Sequence, residues 1–339
     1  MTKVLVTGYG GFLGQEISRQ LLAAGFAVRG LARGTYPELT GMGVEAIRGD
    51  VAHRDTVMTA CQGCEAIIHT AAKAGVWGGW RDYYRINTLA TSHLLEAAHR
   101  EQVTAFVHTS SPSVTFAGAH QSGVDESVPY PTRWLCFYPQ TKALAEQAVL
   151  AAAAVGRVRT CALRPHLIWG KGDPHLFPRV IERTQQGRLR RVGSGNNLID
   201  VVHVTSAATA HVQAVQSLLT GDSPLNGQAL FLSDGRPTAC WDWISRILQA
   251  AGMQVPRKSI SFAAAYRLGA VLEAAFWSLR IRREPPMTRF VAAQLALDHY
   301  FNIDKARKLL DYQPTVDLDA EFDACRPWLT QLAKQPTAR

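Results

Sequence analysis

The 339-residue chain predicts an α/β protein in which a doubly wound parallel sheet carries a smaller, mostly helical C-terminal substrate cap. Three observations predict it. Apolar, β-rich runs near 3–7, 27–31, 44–48, 65–69, 103–109 and 158–164 alternate with helical patterns near 12–24, 54–61, 82–101 and 140–155. The first strand runs directly into a glycine-rich turn that opens a helix. Beyond Pro165 the alternation loosens and apolar helical segments take over.

Lys3-Val4-Leu5-Val6-Thr7 reads as a buried strand and is followed by Gly8-Tyr9-Gly10-Gly11-Phe12-Leu13-Gly14. Gly8 permits a tight strand-to-helix turn, Gly11 lets the backbone approach a pyrophosphate, and Gly14 lets the helix pack closely on the sheet. The helix N-terminus, at Phe12 and Leu13, then offers free N–H groups to the anion. This is a Rossmann dinucleotide loop by context, since a strand precedes it and a helix comes after. The next strand, Ala27–Leu31, ends where the adenosine ribose would sit, and a carboxylate there would bind the 2′-hydroxyl of NAD. Arg33 stands there instead. Its guanidinium suits a 2′-phosphate and predicts NADP(H), while the other reading is a solvated surface arginine.

Right-handed crossovers bring the loops after the strands to one sheet edge, so the glycine loop, Arg33, Asp50, Ala71, Ser111 and Pro165 are expected to converge. After them come a loop at 170–174, a helix near 175–186, and strands at 199–204 and 228–232 expected to rejoin the sheet. The predicted division is 1–165 plus 198–232 for nucleotide binding, 166–197 plus 233–333 for the cap, and 334–339 as a tail.

Tyr138 and Lys142 lie one helical turn apart and share a face. An ammonium beside a phenol stabilises the phenolate and lowers a pKa that otherwise rests near 10, which makes a proton donor. Alone, the spacing describes many amphipathic helix starts. Here a nucleotide loop accompanies it.

Composition narrows the classes. At 47% hydrophobic and 19% charged, the chain buries a full core and shows no disordered tract. The net charge of +9 suits an acidic substrate, a phosphate-bearing cofactor or an anionic membrane surface, although much of it reads as incidental surface charge. The basic residues are scattered, with neither zinc-finger spacing nor an aromatic RNA-binding signature, so no nucleic acid partner is expected. A strand begins after two residues with no secretory signal before it, which predicts a cytoplasmic protein. Cys61-Gln62-Gly63-Cys64 falls at a helix end, where a redox dithiol gains no acidity, and reads as structural thiols. His166, His175 and His203 lack ligand spacing, and no metal is predicted.

Thr7-Gly8-x-x-Gly11-x-x-Gly14, Gly49-Asp50-Val51, His69-Thr70-Ala71-Ala72, Thr109-Ser110-Ser111, Tyr138-x-x-x-Lys142 and Arg164-Pro165 occur in one order. That order resembles the extended short-chain dehydrogenases/reductases. Tyr138-Pro139-x-x-Lys142 with Glu284-Pro285-Pro286-Met287-Thr288 looks like their 3β-hydroxysteroid dehydrogenase branch. Ala71-Ala72-Lys73-Ala74-Gly75-Val76-Trp77-Gly78, and the stretch from Ile260 to Val271, are similar to a bacterial group within it, the 2-alkyl-3-oxoalkanoate reductases of long-chain olefin biosynthesis. The likeness runs from the glycine loop to Trp328.

The resemblance implies that Tyr138 is the general acid, Lys142 its pKa-lowering partner and ribose ligand, and Ser111 the hydroxyl that orients the substrate oxygen. Ser110 is the competing serine; Ser111 is preferred because it lies three residues before Val114. Asp50 and Val51 would border the adenine, Ala71, Ala72 and Lys73 the ribose and pyrophosphate, and Pro165 to Ile168 the nicotinamide. Asn87 matches a supporting asparagine, with an ordinary capped or exposed asparagine as the equal alternative.

The implied reaction is NADPH-dependent reduction of a 2-alkyl-3-oxoalkanoic acid to the 3-hydroxy acid. The alternatives are oxidation of a 3β-hydroxysteroid or similar bulky alcohol, a nucleotide-sugar epimerase or dehydratase, and a cofactor-sensing binding protein. Intact Tyr138 and Lys142 count against the last. The substrate would be apolar with a carboxylate, for which Arg179, Arg188, Arg190 and Arg191 are candidates. Trp77 and Trp80 read as a lid or as loop anchors. Phe262 to Leu279, followed by Arg280-Ile281-Arg282-Arg283, reads as a pocket wall with some peripheral membrane contact. The resemblance also implies a homodimer, and pathway partners in a β-lactone synthetase and a β-lactone decarboxylase.

Overall fold

The computed structural model describes residues 1–156 and 158–335. Seven parallel strands form its centre: β1 (Lys3–Thr7), β2 (Ala27–Ala32), β3 (Glu45–Arg48), β4 (Ala66–His69), β5 (Ala105–Thr109), β6 (Arg159–Pro165) and β7 (Gln228–Leu232). Their order is β7-β6-β5-β4-β1-β2-β3, so the chain reverses direction across the sheet after β3. The crevice at that reversal, between β1 and β4, is where open α/β sheets take ligands.

The helices are α1 (Phe12–Ala23), α2 (Arg54–Cys61), α3 (Ala90–Arg100), α4 (Phe137–Ala154), α5 (Leu176–Gln185), α6 (Val204–Leu219), α7 (Cys240–Ala250), α8 (Phe262–Ser278), α9 (Arg289–Ala296) and α10 (Leu318–Lys334), with shorter turns between them. Side chains alternate across the sheet. Val4 and Val6 pack with Ile17 of α1 and Ala210 and Val215 of α6. Leu5 and Phe106 pack on the opposite face with Val57, Leu94 and Val149 of α2, α3 and α4. Both faces are covered, so the strands read as continuous apolar runs.

The strand expected over 199–204 divides. Leu198–Ile199 joins a small sheet with Thr238–Ala239 and His299–Phe301, while Val202–His203 pairs with Ile168–Trp169. The break falls at buried Asp200, whose carboxylate accepts from the Phe301 N–H at 2.8 Å. Only Gln228–Leu232 rejoins the main sheet, beside β6. Phe301, Ile303, Ala306, Leu310 and Tyr312, placed in the cap by the sequence, pack with the central core instead. The cap has its own aromatic core, in which Trp169 meets Trp243 at 5.1 Å and Phe177 lies against Phe322 at 6.2 Å. The end of the predicted tail, residues 336–339, lies outside the described residues. Among those described, no helix is long and apolar enough to cross a membrane.

Candidate active site

The glycine loop fits the end of β1 because two of its glycines have no room for a side chain. A Cβ on Gly14 would lie 2.2 Å from the Gly8 carbonyl oxygen, and one on Gly8 would lie 2.9 Å from the Ala71 backbone. Gly8 also has φ of +72°, in the left-handed region. Helix α1 starts at Gly11 with no side-chain cap, which leaves the N–H groups of its first turn, at Phe12, Leu13 and Gly14, for an anion. Phe12 lies against Gly170, so the loop after β6 reaches the same place. These residues fit a dinucleotide. Arg33 is exposed at the end of β2, and Arg48 donates from Nε to its backbone carbonyl at 3.2 Å, which brings Arg48 to the same strand end. Asp50 accepts from Ala52 N at 2.9 Å and from Arg85 at 3.4 Å, and Val51 is buried beneath it.

Asn87 closes the next loop. It is fully buried, its Oδ1 accepts from Lys73 N at 2.8 Å, and its Nδ2 donates to Lys73 O and to Thr141 Oγ1, each at 3.1 Å. The reading of Asn87 as an ordinary exposed or capping residue therefore does not hold. It lies in a π-helical turn, Tyr84–Leu89, set between α-helical Trp80–Tyr83 and α3. Thr88 Oγ1 also donates to Thr141 O at 2.8 Å, so the π-turn and the first turns of α4 are bound together. Ala71, Ala72 and Lys73 thus stand on a clamped loop. Lys73 turns its ammonium to Asp82 at 3.1 Å.

Helix α4 begins beside this clamp and carries Tyr138 and Lys142. Ser111 ends the loop after β5, accepts from Ser113 N at 3.2 Å, and lies near enough to Tyr138 for its hydroxyl to draw the phenol's pKa down. Ser110 is buried with its hydroxyl unpartnered and does not make that contact. Lys142 is 2% exposed; its Nζ donates to Thr109 O at 2.5 Å and stands 3.1 Å from His108 Nε2. Burial lowers Lys142 to about 7, against the opposing pull of Glu146. The helical spacing predicts a phenol drawn down by this ammonium. In the structure burial instead pushes Tyr138 up, the Ser111 hydroxyl opposes it, and Cys136 adds to the rise. Burial is the largest cause of that rise, and the Lys142 ammonium is directed to Thr109 O and His108.

Below α4, Glu146 receives Arg164 in a buried ion pair at 2.6 Å, and Tyr130 donates to the same carboxylate at 2.6 Å. This pins the end of β6, and with it Pro165 and Ile168, to the helix bearing Tyr138. Leu167 between them has φ of +42°, unusual for a branched side chain. Above the site, Trp77 donates from Nε1 to Ile281 O at 3.2 Å and lies 4.9 Å from Trp277, and Trp80 meets Phe137 at 5.6 Å. Both tryptophans hold the roof to other segments.

Of the candidate arginines, Arg188, Arg190 and Arg191 are exposed on the cap, whereas Arg179 pairs with Glu284. Arg183, which no sequence motif marks, pairs with the same carboxylate at 2.8 Å. Its i,i+4 spacing from Arg179 was the available signal. Burial is the main cause that raises the pKa of Tyr83 and Cys136, and the Glu284 charge adds to both rises. The contact of His108 with Lys142 had no sequence signal.

Comparison with known families decides the lineage. Residues 5–263 match the model of the 3-beta hydroxysteroid dehydrogenase/isomerase family. The chain belongs to that family. This dehydrogenase/isomerase family member is 43% identical over 320 residues to the 2-alkyl-3-oxoalkanoate reductase of Stenotrophomonas maltophilia, covering 94% of the chain and 96% of the relative. It is 41% identical over 325 residues to the enzyme of the same name from Shewanella oneidensis, covering 94% and 84%. Among solved structures it resembles UDP-glucuronic acid 4-epimerase from Bacillus cereus in complex with NAD, with a TM-score of 0.73, 22% identity, and coverage of 98% and 100%. The last likeness concerns the fold. This member of the dehydrogenase/isomerase family is an oxidoreductase that uses a pyridine nucleotide on CH–OH or C=O groups.

Proposed function

We propose that the protein reduces the ketone of a 2-alkyl-3-oxoalkanoic acid to the 2-alkyl-3-hydroxyalkanoic acid with NADPH, a step of long-chain olefin formation. The observation that carries this reading is the 41–43% identity, over 94% of the chain, to two reductases of that name. The nucleotide supplies hydride to the carbonyl carbon. Tyr138 Oη gives its proton to the oxygen as negative charge gathers there, and the Ser111 hydroxyl donates a second hydrogen bond. A phenol kept protonated by burial suits this direction, since reduction needs a donor. Gly8, Gly11, Phe12, Leu13 and Gly14 hold the pyrophosphate; Asp50 and Val51 flank the adenine; Ala71, Ala72 and Lys73 line the ribose; Pro165 and Ile168 face the nicotinamide; Lys142 binds its ribose. Exposed Arg33 and Arg48, neither paired with an acid among the described residues, support the 2′-phosphate. Arg179 with Arg183, which converge on the one carboxylate of Glu284, is the arginine pair assigned to the substrate carboxylate.

The family name itself supports a second reading, oxidation of a 3β-hydroxysteroid through the same residues in reverse. Turnover of NADPH and NADH with a 2-alkyl-3-oxo acid, a steroid ketone and a UDP-sugar separates the readings. Reduction of the oxo acid with NADPH is expected, and turnover of the steroid alone would overturn the proposal. Replacing Arg33 with Asp should weaken NADPH far more than NADH; equal loss would remove the phosphate contact. A homodimer is part of the same reading, checked by light scattering.

A further inference from the structure

Helix α8 is turned the wrong way for a helix in water. Its inward residues are Ala265, Gly269 and Glu273, spaced by four, and Gly269 packs directly on the Thr288 backbone while Glu273 receives Arg289 N and Nε at 2.6 and 2.7 Å. Its outward stripe is Ala264, Leu268, Val271 and Ala275, with Trp277 beside it. The usual pattern puts the apolar face on the core and the polar face outward. Val271 is 66% exposed, Trp277 50% and Leu279 71%, and Leu268 and Ile281 join them, so most of the large exposed apolar side chains of the described residues gather here. A gathered patch of this kind marks an interaction surface, whereas scattered ones do not.

The charges around the patch choose its partner. Arg267, Arg280, Arg282 and Arg283 are all exposed, and none has an acidic partner among the described residues. Between Ser261 and Arg283 the one acidic residue is Glu273, which is buried and paired. The surface is therefore apolar with a wholly cationic edge and an exposed tryptophan, the combination that lies in an anionic lipid interface. We propose that α8 and the segment 279–283 seat this protein on anionic phospholipid bilayers. The seat adjoins the site: Trp277 lies 4.9 Å from Trp77 and 6.1 Å from Phe137, the residue before Tyr138. The bilayer contact stands without the substrate proposed above; entry of an alkyl chain from the lipid beneath Trp77 and Trp277 rests on that substrate.

Co-sedimentation of the full chain with vesicles tests the contact without any turnover. Binding to vesicles containing phosphatidylglycerol is expected, with little binding to phosphatidylcholine alone and loss at high salt. Arg280→Glu with Arg282→Glu and Arg283→Glu should weaken it by about tenfold or more, and Leu268→Glu with Val271→Glu by a similar factor. Both variants should keep their melting temperature and nucleotide affinity. No binding to the anionic vesicles, or binding that neither variant changes, would overturn the proposal. So would a dimer in light scattering that Val271→Glu dissociates, because a second copy would then cover this face.

Discussion

Beneath the site, Asn87, Thr141 and Lys142 are buried, and each is held by polar contacts to backbone or to one another. Above it, Trp77, Trp277 and Arg179 are partly or largely exposed and are held by aromatic edges and an ion pair with Glu284. The floor is over-determined, since moving one member strands a buried donor or acceptor. The roof can shift at little cost, because exposed contacts are individually weak. For the proposed reduction, a rigid floor would serve proton delivery, and an adaptable roof would suit long apolar substrates of varied shape.

The sharpest test of the floor is Tyr138→Phe. It should lower kcat by roughly 10²–10⁴ with nucleotide affinity retained, measured by steady-state kinetics beside a fluorescence titration. Wild-type turnover would show that the proton comes from elsewhere.

Next in size is the response of the floor to pH. Lys142, at about 7 when folded, titrates near its ordinary 10.5 once unfolded, so across that window the unfolded chain binds more protons and stability rises with pH. Denaturation midpoints between pH 7 and 10 should climb, and Lys142→Met should flatten the climb. His69, lowered to about 3, and His211, lowered to about 4, act in the same sense below pH 6.5, where stability should fall with acid. Gly14→Ala forces a Cβ towards the Gly8 carbonyl and should cost about 1–3 kcal/mol in urea unfolding, with weaker nucleotide binding.

Asn87→Ala should destabilise by roughly 1–2 kcal/mol, because the buried Lys73 N–H loses its acceptor. The smallest effect belongs to the roof: Glu284→Gln frees Arg179 and Arg183 and should lower KM for an acidic substrate by about two- to fivefold. If that roof change moved unfolding as far as Asn87→Ala, the contrast between floor and roof would fail.

The same contrast explains what the chain disclosed before folding. Gly8 to Gly14 and Tyr138 with Lys142 were legible because each chemistry lies within one turn or one strand-to-helix junction. The alternation of strands and helices gave the sheet and the sharing of one edge. Nothing local marked the contact of Trp77 with Ile281, 204 residues apart, or of Lys142 with His108, 34 apart. The division of 199–204 turned on where buried Asp200 found a donor. The direction of the Tyr138 shift turned on burial, which spacing does not report. Arg183 shows the opposite case, since its helical spacing from Arg179 was visible and simply carried no motif.

The π-turn at Tyr84–Leu89 makes residue count itself a constraint. One residue removed there would let the segment wind as regular α-helix, but would rotate the turn at Trp80–Tyr83 by about 100° relative to α3. Asn87 could then no longer face Thr141 while Tyr83 and Trp80 kept their places under the roof. Point substitutions in this turn leave the spacing intact, and a single deletion would not. Length variation among relatives should therefore fall elsewhere, in the loops, and leave this stretch untouched.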